Sequence, residues 1–230
     1  MQSPSFAVIS EGSTDYEVIH TILAGYFADE NIIVRPLQPN PATPEIGNWA
    51  EVLKYCSSER FAGAFHDSDF VVIQIDTDVC DRIPFDVSRV GPDGNPRSVD
   101  ELISAVRARL IACIGGALHE QHRSQILFAV CVDAIECWLL PLHTTDERRT
   151  LTTGCLDALN ACLTARKEHP LGVKRKSHKR YQSLARGYTD PATLRAHAHA
   201  NPSLARFLAD LRTTFPAADP LNTSPQTPPP

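Results

Sequence analysis

The chain has 230 residues, of which 43% are hydrophobic and 21% charged, with a net charge of −5. That balance supports a sizeable core and excludes a protein basic from end to end. The charge is uneven: residues 1–101 hold 17 Asp and Glu against 6 Lys and Arg, and residues 102–230 hold 10 against 16. This pattern points to a carboxylate-rich site in the first part and an anion-binding surface in the second.

Phe6-Ala7-Val8-Ile9 is a continuous apolar run of the kind buried on both faces of a sheet. It ends at Ser10-Glu11-Gly12-Ser13 and gives way to a helix. Thr14 is placed to cap that helix, with Glu17 at the capping-box spacing, and Val18, Ile19, Ile22, Leu23, Tyr26 and Phe27 follow a helical period. Asn31-Ile32-Ile33-Val34-Arg35 reads as a second strand. Pro36, Pro39, Pro41 and Pro44 mark an irregular connection to a helix over 49–58. A third strand, Phe70-Val71-Val72-Ile73-Gln74-Ile75, runs directly into Asp76-Thr77-Asp78. A loop is expected over 84–98, then a helix capped by Ser98 and running to about Leu118, a strand over 126–132, a helical stretch from Ile135, and a short amphipathic helix over 203–211. The Pro-rich end, 216–230, is expected to be a disordered tail. Strands alternating with helices predict an α/β domain over 1–142, a mainly parallel four-stranded sheet flanked by helices, with a basic helical extension over 143–215 packed on it.

The seven cysteines are odd in number and form no Cys-x-x-Cys pair, and several lie inside apolar runs. They are expected to be core thiols of a reducing compartment rather than zinc ligands or a disulfide framework. Met1-Gln2-Ser3-Pro4-Ser5 lacks the positive region of a signal peptide, and no run approaches the roughly 18 apolar residues of a membrane span. The expectation is a cytoplasmic protein with no membrane partner.

Ligands of open parallel sheets bind outside the carboxyl ends of the strands. Glu11 follows the first strand, and Asp76 and Asp78 follow the third. Asp15 lies one helical turn beyond Glu11 and can point back to the same place. Carboxylates gathered so closely repel unless a cation sits among them, and oxygen ligands without paired His or Cys favour Mg²⁺ or Mn²⁺. Simpler readings stay open. Glu11 and Asp15 can be acids favoured by a helix N-terminus, and Asp76 and Asp78 can be turn residues.

The segments Val8-Ile9-Ser10-Glu11-Gly12-Ser13-Thr14-Asp15 and Val71-Val72-Ile73-Gln74-Ile75-Asp76-Thr77-Asp78 resemble the two signatures of the Toprim (topoisomerase–primase) domain. Val132-Asp133-Ala134-Ile135-Glu136-Cys137-Trp138 is similar to the segment after the fourth strand in small stand-alone bacterial Toprim-like proteins and in the nuclease half of the overcoming-lysogenization-defect family. The resemblance implies a Rossmann-like Toprim fold and a metal-dependent nuclease. Glu11, Asp76 and Asp78 would be ligands, Glu11 would also act as general acid or base, and Asp15, Asp133 and Glu136 would be further metal candidates. It also brings an association with bacterial phage defence and with a separate partner ATPase. A binding module that docks to such an ATPase through Mg²⁺ is the rival reading. Trp138 reads as core. For Asp133 and Glu136, a solvated helix start is the plain alternative.

Residues 174–186 contain six Lys and Arg and no acid. Lys174, Arg175, Lys176, Lys179 and Arg180 are candidates to hold a phosphate backbone beside an acidic site, with Tyr181 stacking on a base. Lys174 or Lys179 would reach the scissile phosphate, by analogy with the related nucleases. The alternative is a solvated helix face. No Walker or Gly-x-Gly-x-x-Gly sequence is present.

Overall fold

The computed structural model describes residues 3–40, 48–172, 177–216 and 218. Four strands, β1 (Phe6–Ile9), β2 (Val34–Gln38), β3 (Phe70–Asp76) and β4 (Ile126–Cys131), form one all-parallel sheet in the order β2-β1-β3-β4. The helices are α1 (Ser13–Phe27), α2 (Trp49–Cys56), α3 (Arg60–Gly63), α4 (Val99–Ile114), α5 (Gly116–His122), α6 (Glu136–His143), α7 (Cys155–Ala165), α8 (His178–Ala185), α9 (Pro191–Ala198) and α10 (Pro202–Thr214). The α/β domain with a parallel four-stranded sheet, expected from the alternation of elements, is therefore present, and its arrangement is Rossmann-like, as the resemblance implied.

Side chains alternate across each strand, and the sheet separates two cores. Phe6, Val8, Val72, Leu127, Ala129 and Cys131 pack toward α1 and the C-terminal helices. Ala7, Ile9, Val71, Ile73, Ile75, Phe128 and Val130 pack toward α2, α3 and α4. Every residue of β1 and β4 is buried, which explains their unbroken apolar sequences.

Several local expectations change. The second strand begins three residues later than the apolar run suggested and contains Pro36, which an edge strand tolerates because part of its ladder is unpaired. Thr14 does not cap α1. Gly12 occupies that position, and the Thr14 hydroxyl donates to Asp15 Oδ2 at 3.2 Å. The Ser98–Glu101 capping box forms as expected, but Gly115, at φ 87°, breaks the helix before Leu118. Trp138 is fully buried, and its indole N–H donates to Ser203 Oγ at 2.8 Å.

The cysteines divide. Cys56, Cys80, Cys131 and Cys162 are buried free thiols, whereas Cys137 and Cys155 form a disulfide joining α6 to α7. The expectation of thiols throughout is corrected at that pair, because the packing of α6 on α7 places two residues 18 apart in sequence within bonding distance. Among the described residues no single helix is long and apolar enough to cross a membrane. Almost all of the Pro-rich tail lies outside the described residues.

Candidate active site

The chain passes from β1 outward to β2, then returns past β1 to β3 and on to β4. The topological switch point therefore falls between β1 and β3, where open α/β sheets place their ligands. A cycle of three hydrogen bonds joins the two strand ends there. The Glu11 amide donates to Gln74 Oε1 at 3.1 Å, Gln74 Nε2 donates to Asp76 Oδ1 at 2.8 Å, and the Asp76 amide donates to Glu11 Oε1 at 2.8 Å. The period of two along β3 puts Val72, Gln74 and Asp76 on the α1 side of the sheet.

Asp15, on the first turn of α1, is buried on that side. Gly12 lies against it so closely that a Cβ there would sit 2.9 Å from Asp15 Oδ2. Glu136 opens α6 and is 1% exposed, and its Oε1 accepts the Tyr181 hydroxyl from α8. The convergence of these acids shows in their effects on two neutral neighbours. Burial holds the Cys131 thiol far above its ordinary value, and Asp76, Asp15 and Glu11 push it higher. Burial likewise raises the Tyr181 phenol, with Glu136 the next cause and Asp15 and Asp76 adding to it. Glu11 and Asp76 are thus tied together at the carboxyl ends of β1 and β3, while Asp15 is buried on the first turn of α1 and Glu136 is held by Tyr181.

The other nominated residues fall elsewhere. Asp78 is exposed, and its amide donates to the Asp133 carbonyl at 3.0 Å. Asp133 takes a left-handed conformation at φ 69°, and its amide donates to Thr77 Oγ1 at 2.9 Å, so its backbone clamps the turn after β3. Its carboxylate lies within 4.8 Å of both Cys137 and Cys155. Those sulfurs are bonded to each other, so the trio is not a thiolate ligand set. Lys174, Arg175 and Lys176 lie outside the described residues. Lys179 is exposed, and Arg180 pairs with Glu168 at 2.7 Å. The expectation that Tyr181 stacks on a base is corrected: it is fully buried, facing Glu136.

One contributor to the site was not nominated from sequence. Gln74 is fully buried and holds both strand ends; its signal is a lone amide inside the apolar run of β3. Tyr181 was nominated for a different role, and its contact with Glu136 spans 45 residues of sequence.

The fold and the site define an α/β protein with a carboxylate cluster at its topological switch point. No family model, curated protein or solved structure matches the chain. Glu11, Asp15, Asp76 and Glu136 are the residues that could offer carboxylate oxygens to a hard divalent cation, and three of the four are buried.

Proposed function

We propose that the chain is a Toprim-like, Mg²⁺- or Mn²⁺-dependent nuclease that hydrolyses phosphodiester bonds in DNA or RNA. The observation that carries this reading is the hydrogen-bond cycle through Gln74 that fixes Glu11 against Asp76 at the switch point, with Asp15 and Glu136 as further buried acids. Bound among these four, the metal would polarise the scissile phosphate and activate a water. Glu11 is half-buried and steadied through one oxygen by the Asp76 amide, and would take the proton from the attacking water. Gln74 would keep Asp76 aimed at the cluster, and Tyr181 would do the same for Glu136. Lys179 would carry positive charge toward the phosphate.

The test is cleavage of end-labelled single- and double-stranded DNA and RNA with and without Mg²⁺. Wild-type protein is expected to cut at least one substrate only when metal is present, and Asp76→Ala to be inert while keeping its far-UV circular dichroism. Cleavage by Asp76→Ala at the wild-type rate would rule the reading out. Metal binding without cleavage of any substrate would favour the docking module.

A further inference from the structure

A groove of about 420 Å³ runs between α1 and α8. Lys179, Ser183 and Arg186 line one wall at helical spacings of i, i+4 and i+7, so they share a face. His20 and Thr21 of α1 stand opposite. The other face of α8 is the apolar one: Tyr181, Leu184 and Ala185 are buried in the core, with Tyr188 just beyond. The polar stripe is therefore directed into the groove by the burial of the opposite stripe.

The cations of this stripe differ from most others in the C-terminal part. Arg148, Arg180 and Arg206 pair with Asp146, Glu168 and Asp210, and Arg166 donates to the His143 carbonyl. Lys179 and Arg186 are exposed, and among the described residues neither forms an ion pair. Glu30 is the one carboxylate on the groove wall among the described residues. Seven residues of helix separate Lys179 from Arg186 by about 10 Å, the rise of about three phosphates along one helical strand.

One wall also carries an acid of the candidate site: α1 holds Asp15 five residues, or about 8 Å of helix, before His20. Tyr181, bonded to Glu136, lies on the core-facing side of α8, opposite Lys179. We propose that this groove holds the phosphodiester backbone of a single nucleic-acid strand beside the carboxylate cluster, with Lys179 and Arg186 on phosphates about three apart and the Ser183 and Thr21 hydroxyls as neutral donors. The proposal rests on the nuclease reading and extends it, because it assigns the strand-binding track to α1 and α8.

The test is fluorescence anisotropy with a 5′-fluorescein-labelled 20-nucleotide oligothymidylate. The full chain would carry Asp76→Asn to prevent cleavage, and binding would be followed from 50 to 200 mM salt. Adding Lys179→Gln and Arg186→Gln together is expected to weaken binding about tenfold and to reduce the slope of log K against log salt by about 1.4, the value for two phosphate contacts on a single strand. Arg206→Gln, which removes a cation paired elsewhere, is the charge control and should leave the slope unchanged. Unchanged affinity and slope in the double variant would overturn the proposal, and so would failure of the Asp76→Asn parent to bind the oligonucleotide. A parallel Mn²⁺ titration of the wild type keeps the two failures apart. A metal site without a groove effect sinks only the track, and absence of a metal site sinks the nuclease reading itself.

Discussion

Replacing Tyr181 with Phe removes one oxygen from the molecule's interior and nothing else. The ring stays in the core between α1 and α6, so the apolar area buried is unchanged. What is lost is the hydroxyl donor to Glu136, a carboxylate only 1% exposed. A hydrogen bond to a charged group contributes about 1.5–3 kcal/mol, and a buried partner left without it forfeits that amount. In a protein of this size each kcal/mol is worth about 2–4 °C, so Tyr181→Phe should lower the melting temperature by about 3–12 °C in metal-free buffer. Because Tyr181 orients a proposed ligand, Mn²⁺ affinity should also fall, by about 10- to 100-fold. The assay is thermal unfolding in chelator together with calorimetric Mn²⁺ titration, and Glu136→Gln and the double variant complete a cycle with a coupling energy of at least about 1 kcal/mol. A melting point within 1 °C of wild type and additive single effects would show that the Tyr181 hydroxyl does not hold Glu136.

Gln74→Leu keeps the side-chain bulk but strips three hydrogen bonds from the strand ends, and each buried group left unsatisfied costs about 1–3 kcal/mol; denaturant unfolding should show the loss, accompanied by weaker Mn²⁺ binding. Reducing the Cys137–Cys155 bond, which closes a loop of 18 residues, should destabilise the protein by about 3 kcal/mol, measured with and without dithiothreitol and absent in the Cys137→Ser, Cys155→Ser protein. Burial lowers the pKa of His143 from its ordinary 6.5, and the ring stays neutral in the fold, with Nε2 against the Leu184 carbonyl and Nδ1 against Arg166. The unfolded chain therefore binds the extra proton first, so stability should fall as pH drops through 6.5, and His143→Gln should flatten that part of the melting-temperature profile.

The sheet was legible because three of its strands are continuous apolar runs and the fourth, β2, differed only in its bounds. Its sequence misled because the apolar residues Ile32 and Ile33 precede the strand, while Pro36 stands inside it and is tolerated at the sheet edge. Glu11 and Asp76 were legible as a pair because strand ends on one edge of a parallel sheet converge whatever the intervening chain does. The hydrogen-bond cycle that fixes them was not, since the role of Gln74 depends on the strand order. The C-terminal helices were the least legible part. In α8 the run of charges conceals Tyr181, Leu184 and Ala185, whose burial is decided by α1, more than 150 residues earlier. The same long-range packing turned Tyr181 from an expected stacking surface into a partner for Glu136, and joined Cys137 to Cys155.

Isothermal calorimetric titration of Mn²⁺ tests whether Glu11, Asp15, Asp76 and Glu136 form the proposed divalent-metal site. Wild-type protein should show saturable binding that Asp76→Asn and Glu11→Gln each abolish, while both variants fold and melt at or above the metal-free wild-type temperature as like charges are removed. Equal Mn²⁺ binding by wild type and Asp76→Asn, or no binding by the wild type, would contradict the account.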